Sequence, residues 1–200
     1  MKKIGIFGGS FDPIHNGHIE LAKWALIEKN LDFVFFMPTK KNPFKKDNEI
    51  AKDEDRVNMI KLILVQNDYF CLSEKELSDK EYSYSYDTLL SITQEYKDCE
   101  IYFIVGTDSI CTMEEWYKGD KLLSEFNFIT CFRPGHSKDE FLSKIEYYKK
   151  KYNAKISLIT QSMPDISSTE IKKRIKEGTS ISDLVPADVE RYILENDLYR

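Results

Sequence analysis

The chain has 200 residues, 42% of them hydrophobic and 32% charged, with a formal net charge of −5. That length and balance fit one ordinary globular domain, and the acidic excess argues against a nucleic-acid binder, which usually carries a basic face. Four widely spaced cysteines without a C-x-x-C pair exclude a zinc ribbon or redox dithiol, while the lack of a signal-type h-region and of any run near roughly 20 apolar residues leads us to expect a cytoplasmic protein with no membrane partner.

The first apolar run, Ile4–Phe7, predicts a strand. It leads into Gly8-Gly9-Ser10-Phe11-Asp12-Pro13-Ile14-His15-Asn16-Gly17-His18, and a helical pattern follows over Ile19–Glu28. A second strand is expected over Phe33–Met37. The polar stretch Lys40–Ala51 is long for a loop and reads as a candidate lid. A helix over Asp53–Gln66, a strand over Phe70–Leu72, a helix over Tyr86–Tyr96 and a strand over Ile101–Val105 come next. Gly106–Ser124 is less regular and holds the Trp116-Tyr117 pair. A strand over Phe128–Phe132, a helix over Lys138–Tyr152 and a strand over Ile156–Ile159 complete the alternation. Two more helices are expected. One runs from Ser167-Ser168-Thr169 to a glycine cap near Gly178, and the other from first-turn Pro186 to Asn196.

Short continuous apolar runs alternating with helices predict a parallel sheet buried on both faces. The fold expected is therefore α/β: a Rossmann-like, doubly wound parallel sheet with helices on both faces and a small C-terminal helical part. One domain covers residues 1–200, with an α/β core over 1–165 and C-terminal helices over 166–200. In such sheets a ligand binds beyond the carboxyl ends of the strands, where strand order reverses.

The turn Gly8–His18 carries the chemistry. Backbone N–H groups at a helix start lack helical partners and attract anions. Glycines there permit close approach, so Gly8, Gly9, Ser10, Phe11 and Gly17 are candidate phosphate-cradling positions. His15 and His18 add imidazole donors. A tight turn with incidental histidines is the plainer alternative, but the full pattern is too specific for it. The spacing differs from the G-x-G-x-x-G dinucleotide fingerprint. A second anion site is suggested at Ser167, Ser168 and Thr169. Ser167 with Glu170 three residues later forms a capping box, and Lys172, Lys173 and Arg174 bring positive charge to the next turn.

Gly8–His18 resembles the signature of the H-x-G-H nucleotidyltransferases, and within them most closely that of the bacterial nicotinate-nucleotide adenylyltransferases. Further segments are similar to that family in the same order. Ser83-Tyr84-Ser85-Tyr86-Asp87-Thr88-Leu89 matches its SYTxDTL segment, with Ser85 where threonine is usual. Phe103–Ser109 followed by Trp116 matches FxxGxDS…W, Arg133-Pro134-Gly135 its arginine-proline-glycine turn, and Ile166–Ile171 its ISSTxIR motif. Departures are Phe44 in place of a histidine and Lys172 in place of an arginine.

The resemblance implies adenylyl transfer from ATP to nicotinate mononucleotide, giving deamido-NAD and pyrophosphate. Mg²⁺ would arrive with ATP and no protein metal site is expected. His15, His18, Lys45 and Arg133 are the candidate catalytic residues. Gly106 and Asp108 join the nucleotide site, the far phosphates fall to Ser167–Thr169 with Lys172 or Arg174, and Ser85, Trp116 and Tyr117 take the pyridine. Alternatives are a relative using nicotinamide mononucleotide or phosphopantetheine, a cytidylyltransferase, and a nucleotide-binding module without chemistry. Tyr192 and Tyr199 would permit a homo-oligomer.

Overall fold

The computed structural model describes residues 1–40, 50–77 and 83–200. Six strands, β1 (Lys2–Gly9), β2 (Phe33–Pro38), β3 (Phe70–Leu72), β4 (Cys99–Ile104), β5 (Asn127–Cys131) and β6 (Lys155–Ile159), form one sheet in the order β3-β2-β1-β4-β5-β6. Every pairing is parallel. Order therefore reverses between β1 and β4, which is where a doubly wound sheet opens a crevice.

The apolar runs sort by strand alternation. Ile4 and Ile6 of β1 pack into one core layer and Phe7 into the opposite one. Gly5 between them has no room for a side chain: a Cβ there would come within 2.8 Å of Ile104 Cδ1 and 2.9 Å of Leu31 Cδ1.

Helices α1 (Asn16–Lys29) and α2 (Asp53–Leu64) cover one face. On that side Ala22 and Ala25 pack with Met59 and Ile60. α3 (Ser85–Glu95), α5 (Gly119–Glu125) and α6 (Lys138–Tyr152) cover the other. There Leu89, Leu122 and the i, i+4, i+7 stripe Phe141, Ile145 and Tyr148 are all buried. The C-terminal helices α7 (Ser168–Lys176) and α8 (Ala187–Glu195) join the first layer through Ile171, Val189 and Ile193.

Element ends differ from the sequence expectation in instructive ways. α1 begins at Asn16 rather than Ile19, because His15, in extended conformation, caps it. The irregular stretch Gly106–Ser124 resolves into the short α4 (Thr107–Cys111), a 3₁₀ turn over Met113–Glu115 and α5. Pro186 precedes α8 as its cap instead of opening its first turn. Gly178 lies just past α7 with φ +67°, the left-handed cap expected of a glycine. Among the described residues no helix is long and apolar enough to cross a membrane.

Candidate active site

A cleft of about 790 Å³ opens at the carboxyl ends of β1 and β4. Gly8, Gly9 and Ser10 form its floor, His15, Gly17 and His18 one wall, and Gly106, Thr107 and Asp108 another. The start of α7, Ser167–Thr169, lies along the same cleft. Two helix N-termini, of α1 and α7, thus border one cavity, and each presents amides without helical partners.

The two imidazoles are held as a unit. Their rings stack with centroids 3.6 Å apart and 24° between planes. The backbone N–H of His15 donates to Nδ1 of His18 at 3.3 Å. A neutral His18 therefore carries its proton on Nε2, which makes that atom a hydrogen-bond donor. Phe7 and Phe11 meet the His18 ring edge-on. A Cβ at Gly17 would lie 3.1 Å from Nδ1 of His15, tight enough that the ring would have to give by a few tenths of an ångström. Burial, with the Arg133 guanidinium adding to it, holds the His15 pKa at about 3. His18 is likewise pushed well below the usual histidine range, by burial first, then by His15 and Arg133. Both rings are therefore neutral at neutral pH. An anion bound beside them pushes their pKa values the other way.

Long-range hydrogen bonds fix the surrounding loops. Ser168 Oγ donates to the carbonyl of Pro13 at 3.1 Å, tying α7 to the first turn. Ser167 caps α7 by accepting from the Glu170 amide at 3.2 Å. Arg56, 1% exposed, donates to the Ser10 carbonyl at 2.6 Å and so holds the turn from beneath. Thr107 donates to the Cys131 carbonyl at 2.7 Å and accepts from the Arg133 amide at 3.0 Å, which joins α4 to the end of β5. Arg133 reaches Asp108 at 2.9 Å and the Ile166 carbonyl at 3.5 Å. Its Nε is buried without a hydrogen-bond partner among the described residues, as is Nδ1 of His15.

The cytidylyltransferase-like family model matches residues 6–174. A probable nicotinate-nucleotide adenylyltransferase of Clostridium novyi is 39% identical over 200 residues, covering 100% of both chains. One from Carboxydothermus hydrogenoformans is 39% identical over 198 residues, covering 99% of this chain and 98% of that one. The chain belongs to this family. A solved structure of Plasmodium falciparum nicotinic acid mononucleotide adenylyltransferase complexed with NaAD superposes with a TM-score of 0.80 at 26% identity, covering 100% of this chain and 98% of that one. Membership in the adenylyltransferase family, and the doubly wound fold inferred from alternation, are thus established.

Against the family expectation, most candidate positions converge on the cleft and several do not. Gly8, Gly9, Ser10, His15, Gly17, His18, Ser85, Gly106, Asp108, Trp116, Arg133 and Ser167–Thr169 all line it. Around Gly106 a Cβ would meet nothing within 4 Å, so the wall is open there to a ligand. Phe11 is 0% exposed, with its ring in the core, so it supports the turn from behind. Lys172 is bonded to Asp12, a carboxylate only 4% exposed, and its ammonium also lies 5.0 Å from the Tyr199 ring centroid. Arg174 is bonded to Glu170 and Asp183. Both cations thus engage carboxylates of the chain and neither lines the cleft, unlike Ser167–Thr169, the other contacts expected for the far phosphates. Tyr117 is 45% exposed, packs on Tyr84 at 4.4 Å and is not among the residues that line the cleft. Lys45, with most of the candidate lid Lys40–Ala51, lies outside the described residues.

Sequence reasoning missed two groups. Glu76, 3% exposed, lines the cleft from a 3₁₀ turn over Lys75–Leu77. His136 sits 3.0 Å from both the Arg133 guanidinium and Asp108. Its place one residue beyond the Arg133–Gly135 turn was the only signal available.

Proposed function

We infer that this chain transfers the adenylyl group of MgATP to nicotinate mononucleotide, releasing pyrophosphate and forming deamido-NAD. One observation carries the reading: the imidazole pair, the Gly8–Ser10 turn and the start of α7 border a single cleft at the switch point. Family membership supplies the substrates.

A phosphate oxygen of the mononucleotide attacks the α-phosphorus of ATP. The new P–O bond forms as the bond from that phosphorus to the oxygen bridging to the β-phosphate breaks, and pyrophosphate carries away the electron pair. The attacking oxygen is already anionic, so the step needs no general base. Positioning and charge stabilisation lower the barrier. His18, with its proton on Nε2, donates to the α-phosphate as charge builds there. His15 holds the β- or γ-phosphate. The amides of Gly9 and Ser10 and the start of α7 with Ser167, Ser168 and Thr169 cradle the rest of the chain. Gly106 and Asp108 flank the nucleoside, and the fixed fork of Arg133 steadies the acceptor phosphate or leaving pyrophosphate, with Lys45 as its partner. Trp116 offers an indole face for the pyridinium ring, and the Ser85 hydroxyl is a donor for the nicotinate carboxylate.

Mg²⁺ enters as part of the substrate, bound by phosphate oxygens and water, as this ion usually is in nucleotide sites. The test is pyrophosphate release from MgATP with nicotinate mononucleotide, nicotinamide mononucleotide and phosphopantetheine offered separately. Release with the first in preference to the others is the expected result.

A further inference from the structure

Buried polar atoms normally find partners, and an exception needs a reason. Among the described residues three such atoms belong to cleft-lining residues: Nδ1 of His15, Nε of Arg133 and Oε1 of Glu76. The first two are cationic-type groups in a phosphate site. The third is a carboxylate oxygen, and nothing in the proposed mechanism uses it.

Glu76 stands where the β1–β2–β3 half of the sheet meets the start of α3. It shares the cleft wall with Met37 and Thr39 from the end of β2, with Ser85 and with Trp116. Burial raises its pKa, opposed in part by the hydroxyls of Thr88 and Ser83. The other carboxylates along the cleft differ in kind. Asp108 is bonded to Arg133 and near His136, with its side chain 65% exposed, and Glu115 is exposed.

A carboxylate oxygen accepts hydrogen bonds and repels anions. The acceptor substrate offers a phosphate, a pyridine carboxylate and a ribose diol, and only the diol donates. We propose that Glu76 is the acceptor-specificity residue of this site, taking a hydrogen bond from a ribose hydroxyl of the pyridine mononucleotide. This rests on the adenylyl-transfer reading above. It gives each nucleoside its own carboxylate: Asp108 on the β4 side for ATP, Glu76 on the β2–β3 side for the acceptor. It also explains why the site tolerates a buried acid beside a substrate with two negative groups. The acid selects for the one part of that substrate that can donate.

The experiment measures pyrophosphate release by the full chain with MgATP and nicotinate mononucleotide, its 2′-deoxy analogue or its 3′-deoxy analogue, for wild type and Glu76→Gln. A lost hydrogen bond to a charged group lowers kcat/KM about 10- to 100-fold. The wild type is expected to lose that much with one deoxy acceptor. Glu76→Gln is expected to lose a similar factor with the normal acceptor, to lose little more with that deoxy acceptor, and to keep its KM for ATP. Losses that multiply independently would overturn the assignment, and so would a changed preference between acid and amide acceptors with undiminished discrimination against the deoxy sugar. If the variant does not fold, wild-type indifference to both deoxy acceptors is enough to overturn it. Wild type inactive even with the normal acceptor would remove the underlying reading and this proposal together. Activity with additive losses would remove this proposal alone.

Discussion

The His18 ring stacks on the His15 ring, 3.6 Å between centroids, and its Nδ1 accepts a hydrogen bond from the His15 backbone N–H. Stacking fixes the plane of His18 and the hydrogen bond fixes its tautomer. An Nε2–H donor is therefore in place before substrate arrives, so no reorganisation is needed as charge develops.

Replacing His18 with alanine removes that donor. Turnover is expected to fall by about 10²–10³, the usual cost of one positioned donor, with a smaller change in ATP affinity. Single-turnover kinetics beside calorimetry of ATP binding separates the two. Unchanged turnover would remove His18 from the reaction.

The depressed His15 pKa makes stability depend on pH. Its folded value is about 3 against a reference of 6.5, so the unfolded chain binds more protons between those limits. Stability then rises with pH across that window and is lost as pH falls from 6.5 toward 3. His18, also lowered by burial, adds in the same sense. Thermal melts of the free protein at a series of pH values are expected to show this slope. The slope should be shallower in His15→Asn.

Arg133 joins Asp108, the Ile166 carbonyl and the neighbourhood of both histidines. Lysine keeps its charge but not its planar fork. Arg133→Lys is expected to lower kcat/KM about 10-fold, within the range for charge-assisted hydrogen bonds, with thermal stability little changed. Steady-state kinetics with each substrate varied in turn checks this.

Lys172 makes the opposite prediction. Asp12 is 4% exposed and also accepts from Tyr199 Oη at 2.7 Å and the Ala51 amide at 3.0 Å. Removing the ammonium leaves a buried carboxylate short of its counter-charge, a loss of about 3 kcal/mol. Lys172→Ala should therefore melt at a clearly lower temperature, while the folded fraction keeps its KM for ATP. A raised KM with an unchanged melting temperature would place Lys172 in the phosphate site instead.

The parts that were legible in the sequence are local ones. Glycines, a capping pattern and paired histidines between a strand and a helix specify the first turn from its own eleven residues, and Ser167 with Glu170 specifies the start of α7. What was not legible depends on partners far along the chain. Lys172 finds Asp12 across 160 residues, and Arg174 is drawn to Asp183 past the end of its helix. No spacing rule announces either pairing, so both cations read as phosphate ligands. Phe11 sits in a glycine-rich loop yet points into the core, because its backbone turns to φ 45°. Glu76 is one of several acids in a polar stretch that also holds Glu74, Asp79 and Glu81. It is buried where the 3₁₀ turn over Lys75–Leu77 packs against β2 and meets Ser83 and Thr88, and burial is what separates it from the exposed Glu74.

Pyrophosphate release across the acceptor panel tests the central claim most directly. With MgATP and nicotinate mononucleotide, purified full-length chain is expected to release pyrophosphate and form the dinucleotide, with weaker release from the nicotinamide form and none from phosphopantetheine. ATP binding without release from any of the three acceptors would contradict the claim, as would a preference for phosphopantetheine.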